Sequence, residues 1–192
     1  MQRKKIYVLL SFATLCGILL GVGSCDRVGE SGPRKIAFIA GAPTHGEGCH
    51  SWEEVAQLLK QCLLEAPDVE PLEIDIYRNG WPEDPAVLDD ADAIVFLSDG
   101  FKDHPLNEPA RVAKIRKLAK RGVGLAFFHY AIEPPEGGEP DLLEWIGGCY
   151  ERGYSQNPRN TVALSPVQNN HPICRGCSGY VAEDEWYFDI RL

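Results

Sequence analysis

The chain alternates short, nearly continuous apolar runs with longer stretches in which apolar residues recur every three or four positions. KIAFIA (35–40), DAIVFLS (92–98) and GVGLAFFHY (122–130) are the short runs. Their length and their Gly and Pro flanks predict strands buried on both faces. Residues 70–77 alternate like a further strand, followed by turn chemistry at Asn79-Gly80-Trp81-Pro82. The longer stretches predict helices. Ser51-Trp52-Glu53-Glu54 has the spacing of a capping box, and the stripe Trp52, Val55, Leu59, Cys62, Leu63 continues to a stop near Pro67. A second helix is expected from an Asn107 cap to Arg121, with Val112, Ile115 and Leu118 inward and Gly122 beyond its end. A short helix is expected at 142–146, and further strands at 160–165 and 179–189.

Helices between apolar strands call for a parallel sheet covered on both faces. The expected fold is α/β, a flavodoxin-like doubly wound, mostly parallel sheet. Ligands of such sheets bind at the carboxyl ends of the strands, where the strand order reverses. Three loops leave those ends, at 45–50, 99–104 and 129–133, and they hold His45, His50, His104 and His129, four of the chain's five histidines. Chance would rarely gather them on one edge of a sheet.

The beginning of the chain has a different pattern. Arg3-Lys4-Lys5, the apolar run 6–20 and small residues before Cys25 have the layout of an export signal. Val22-Gly23-Ser24-Cys25 resembles a bacterial lipobox, which makes Cys25 the lipidation candidate. The expected organisation is a signal peptide over 1–24, a tether over 25–34 and one domain over 35–192. The expected location is the periplasm or cell envelope, with membrane contact only through the N-terminal lipid. Removing 1–24 takes away three basic residues and no acidic ones, so the net charge of −9 becomes −12. An acidic body without a basic stripe argues against nucleic acid as a partner. Of the seven cysteines, Cys62 is expected to fill a helix's apolar face, and Cys174 and Cys177 form a lone CxxC, either bridged or inert.

The loop AGAPTHGEGCH (40–50) is neither a Walker loop nor a dinucleotide fingerprint, because no Gly-Lys-Ser/Thr follows it and G-x-G-x-x-G is absent. Its glycines serve a turn; a turn has no need of imidazoles. His129 stands where an elbow-type enzyme carries its nucleophile, but residues 127–133 contain no Cys or Ser. A neutral imidazole there can act as a general base or a metal ligand. Asp99 can bind a hydroxyl or a metal, or cap a turn. Glu133 can orient a neighbour or serve only its loop. Tyr154, Asn157 and Arg159 lie in a polar loop that could line a sugar site. Asp184-Glu185-Trp186-Tyr187 sets two carboxylates beside two aromatics, either a face for a sugar ring and acid–base work or an edge strand with Trp186 packed inward.

THGEGCH, FLSDG, GVGLAFFHYAIE, WIGGCYE, HPICRG and DEWYF occur in the order seen in ThuA-like proteins, the trehalose-utilisation family, which the chain resembles from Lys35 to Leu192. That family is similar in fold to class I glutamine amidotransferases without their elbow cysteine. The resemblance implies catabolism of a disaccharide or 3-keto sugar by a hydrolase, lyase or isomerase, and not a glutaminase. It places site residues at His45, His50, Asp99, His129, Asp184 and Glu185. It also implies further strands past DEWYF, and it leaves Cys49 as a departure.

Expected catalytic groups are His129, His45, His50 and Glu185. Expected substrate-binding groups are Asp99, Gly100, His104, Tyr130, Tyr154 and Asp184. His45, His50 and His129 form a candidate triad for zinc, iron or nickel. The partner is expected to be a small-molecule sugar, and oligomeric state is left open. The alternative is a non-catalytic sugar-binding or scaffolding lipoprotein of the same fold.

Overall fold

In a computed structural model of the chain, the described residues are 32–46, 49–67, 69–166, 174 and 176–192. The expected signal peptide and Cys25 therefore lie outside the described residues, as does His171. Four parallel strands form the central sheet: β1 (Arg34–Ala40), β2 (Leu72–Tyr77), β3 (Ala93–Leu97) and β4 (Gly124–Phe128), in the order β2-β1-β3-β4. Helix α1 (Trp52–Glu65) links β1 to β2, and α2 (Pro109–Lys120) links β3 to β4. The chain steps from β1 to one side and, after returning, from β3 to the other. The strand order thus reverses between β1 and β3, and the loops after these two strands flank the crevice.

The apolar runs of β1 and β3 are buried on both faces because their side chains alternate between two cores. Ala37, Ile39, Ile94 and Phe96 pack with Ile115 and Leu118 of α2. Phe38, Ala40, Val95 and Leu97 pack with Trp52 and Ala56 of α1 and Ile74 of β2. Phe38 and Phe96 are at most 1% exposed, and each contributes about 2–3 kcal/mol by leaving water.

Local details depart from the pattern in three places. Ser51 precedes α1, but its side chain makes no cap hydrogen bond; the Trp52 amide donates to His50's carbonyl at 2.8 Å. Asn107 does not cap α2. Its amide donates to the carbonyls of Phe101 and Lys102, and Pro109 starts the helix after an extended Glu108. Cys62 is exposed, because the stripe that α1 buries runs through Trp52, Ala56, Leu59 and Leu63. Val55 is exposed with it.

Past β4 the chain forms a short 3-10 turn (His129–Ile132) and helix α3 (Glu139–Ile146), which ends at a left-handed Gly147 (φ 78°). β5 (Arg159–Leu164) and β6 (Tyr180–Glu185) pair with each other as an antiparallel ribbon and do not extend the parallel sheet. Bridges at Cys149–Arg191 and Gln156–Phe188 fasten the last residues to the segment after α3. Among the described residues, no helix is long and apolar enough to cross a membrane.

Candidate functional site

The reversal of strand order brings the loops after β1 and β3 face to face, and Asp99 lies at their meeting point. Its carboxylate is 1% exposed. One oxygen accepts from Nδ1 of His50 at 2.5 Å and the other from Nδ1 of His45 at 3.1 Å. The Thr44 hydroxyl also lies 3.0 Å from His45 Nδ1. The two imidazole centroids are 4.1 Å apart. His50 has a left-handed backbone (φ 48°), which turns its ring back over the strand end. His45, His50 and Asp99 offer donor atoms that all lie within 4.8 Å of one another, close enough to converge on a metal ion.

His129 enters from the third loop. Strand β4 stops at Phe128, and His129 takes φ 50° at the step from strand to 3-10 turn, the left-handed junction that holds a side chain clear of its own backbone. Its ring meets His50 edge-on (centroids 5.2 Å apart) and stacks on Tyr187 (5.3 Å, 11° between planes). Nε2 is 3.8 Å from a carboxylate oxygen of Glu185, an ion-pair distance and not a hydrogen bond. Burial, followed by the neighbouring His50, lowers the His129 pKa below its usual 6.5, while Glu185, Asp184 and Asp99 oppose the shift. His129 is therefore a neutral imidazole at pH 7, with a carboxylate placed to stabilise the cation it forms on taking a proton.

Around these four groups stand the rings of Trp52, Tyr130 and Tyr187. Tyr130's centroid is 5.9 Å from His50's, and burial raises its phenol pKa. Gly100 is required by close approach. A Cβ there would lie 2.6 Å from Tyr130's carbonyl and 2.8 Å from Glu133's, so only glycine lets the β3 loop lie against the elbow. Glu133 is buried and paired with Arg152, whose guanidinium lies 3.6 Å over the ring of Phe101. Its carboxylate supports the elbow from behind.

Two expected site residues are elsewhere. His104 is 2% exposed and belongs to the core. Its Nε2–H donates to Ala131's carbonyl at 3.1 Å, and its Nδ1 accepts from the Leu106 amide at 3.0 Å. Burial pushes its pKa down to about 4. It ties the β3 loop to the elbow turn and leaves no nitrogen for a ligand. Tyr154 is exposed and lies under the guanidinium of Arg191, itself paired with Glu151. Asp184 turns one oxygen to the Glu185 amide, which leaves Glu185 as the carboxylate against His129.

Tyr187, and not Trp186, stacks on the His129 imidazole; the Trp186 indole donates to Asn160's carbonyl at 2.8 Å. In an irregular segment just after β6, alternation could not distinguish the two rings. Trp52 carried a signal, the first position of α1, but its apolar spacing identified it only as core. Asn157 donates to Glu185 at 2.9 Å and accepts from the Tyr150 hydroxyl at 3.1 Å, so the polar loop reaches the site through an amide.

No family model matches the chain, and no curated protein matches it. Among solved structures, the chain is similar to a Bacteroides uniformis protein described as ThuA-like, with a TM-score of 0.56 and 20% sequence identity. The likeness is one of fold. It covers 82% of this chain and 62% of that one, so this chain spans less than two thirds of its neighbour's length. A mostly parallel sheet with helices on its faces is common to the expected and the observed architecture.

Proposed function

We propose that the chain is a ThuA-like protein of the cell envelope that acts on a disaccharide or 3-keto sugar, with His129 as general base. The observation that carries this reading is the position of His129. It is a neutral imidazole on a left-handed elbow, with Glu185 3.8 Å from Nε2 and Asp99 gathering His45 and His50 beside it. An imidazole so placed takes a proton from a sugar hydroxyl, or from a carbon made acidic by a neighbouring carbonyl. Glu185 stabilises the resulting imidazolium. The rings of Tyr187 and Tyr130 offer apolar faces to a sugar, and the Tyr187 hydroxyl stays protonated because burial raises its pKa. The absence of Cys and Ser from 127–133 removes the thiolate or alkoxide of an elbow nucleophile, so the chemistry assigned here is proton transfer.

The test is turnover of a disaccharide panel and its 3-keto derivatives by the wild type, His129→Ala and His45→Ala. Loss of about 10²-fold or more in kcat with an unchanged circular dichroism spectrum is expected. Unchanged turnover in His129→Ala overturns the assignment. The aromatic walls favour one second reading, a sugar-binding protein without catalysis. That reading requires saturable sugar binding with no product after long incubation.

A further inference from the structure

We propose that His45, His50 and Asp99 bind one divalent transition-metal ion at the strand-reversal crevice, and that His129 stands outside the ligand set. The inference deepens the proposed function and rests on the same imidazole cluster. The first ground is charge. Asp99 is 1% exposed, and among the described residues no Lys or Arg pairs with it; its ion-pair partners are His45 and His50. A carboxylate so deeply buried needs a charge-compensating partner. A metal ion held jointly by the carboxylate and the two imidazoles supplies one.

The second ground is geometry. Donors about 2.1 Å from one ion stand about 3.0 Å apart at a right angle and about 3.4 Å apart at a tetrahedral angle. His45 Nδ1 stands 3.1 Å from one Asp99 oxygen, already in that range, and His50 Nδ1 stands 2.5 Å from the other, a contact that needs to open by about half an ångström. His129 is excluded by its surroundings. Its ring stacks on Tyr187, its Nε2 lies 3.8 Å from Glu185, and it is not one of the groups whose donor atoms fall within 4.8 Å of each other. The triad suggested by three loop histidines is thus replaced by two histidines and an aspartate. Two imidazole nitrogens and one carboxylate oxygen select zinc, iron(II) or nickel over magnesium and calcium, which prefer oxygen throughout. Three protein donors leave coordination positions open to a further ligand.

The test is calorimetric titration of chelator-stripped protein with zinc, with elemental analysis after gel filtration. One zinc per chain is expected, undiminished by excess magnesium. His45→Ala, His50→Ala and Asp99→Asn should each weaken binding at least tenfold. His129→Ala and Cys49→Ser should stay within threefold of the wild type. His45 is 45% exposed, so its replacement leaves the core intact and keeps the test valid if Asp99→Asn fails to fold. Absence of stoichiometric zinc, binding indifferent to these three residues, or binding lost in His129→Ala or Cys49→Ser overturns the site. Zinc binding without sugar turnover removes only the enzymatic reading, and turnover without zinc binding removes only the metal site.

Discussion

At the scale of single residues, the four described histidines look alike in the sequence and divide by their surroundings. His104 has both nitrogens committed to backbone and a pKa of about 4, against 6.5 when unfolded. Between those values the unfolded chain binds more protons than the folded one. Its contribution is therefore complete above pH 6.5 and falls as the pH drops toward 4, by about 3 kcal/mol. Urea unfolding of the wild type and His104→Gln at pH 7.5, 5.5 and 4.5 should show the variant less stable at pH 7.5 and less sensitive to acid. For His129 the pKa is lowered, so the acid limb of kcat/KM should have its midpoint below pH 6.5. Glu185 opposes that lowering, and Glu185→Gln should move the limb to still lower pH; a limb that stays put or moves up removes Glu185 from the site. Neither behaviour was legible in the sequence. A lone loop histidine becomes a core residue or a base according to which long-range neighbours exclude water from it.

At the scale of elements, the chemistry depends on how two loops lie against one another. The β3 loop can reach the elbow turn because Gly100 has no side chain where the carbonyls of Tyr130 and Glu133 stand 2.6 and 2.8 Å from a would-be Cβ. Gly100→Ala should push the elbow away, lowering stability by about 1–3 kcal/mol in chemical unfolding. Sugar turnover should fall at least tenfold, since displacing a catalytic group by about an ångström has large effects on rate. Wild-type turnover in this variant would show that the elbow's position is not critical. The central strands were readable from the length and flanks of their apolar runs, and both long helices from an apolar period. A strand buried on both faces is apolar throughout, while a helix buries one residue in three or four. The capping of α1 and α2 was not. Ser51 and Asn107 have the right side chains, but Ser51 makes no cap hydrogen bond, and Asn107 spends its amide on the carbonyls of Phe101 and Lys102 while α2 starts beyond it at Pro109.

At the scale of the whole molecule, the parallel sheet and the β5–β6 ribbon differ in support. β1 and β3 are central and buried on both faces, whereas most side chains of β5 and β6 are exposed. A two-stranded ribbon is marginal by itself. Hydrogen exchange should place the β1 and β3 amides at the global unfolding limit and the β5–β6 amides well below it. Equal protection would mean that the ribbon unfolds only with the sheet. Glu185 belongs to the ribbon and Tyr187 follows it, so the same exchange measurement reports on the wall facing His129. Apolar period and loop placement by themselves determined a parallel α/β sheet with its histidines on one edge, because those features depend on local spacing. Only the tertiary structure decided that Asp99 gathers His45 and His50, that His104 faces inward and that Tyr187 supplies the wall. Those facts depend on burial and on contacts between residues far apart in the chain, which no local period encodes.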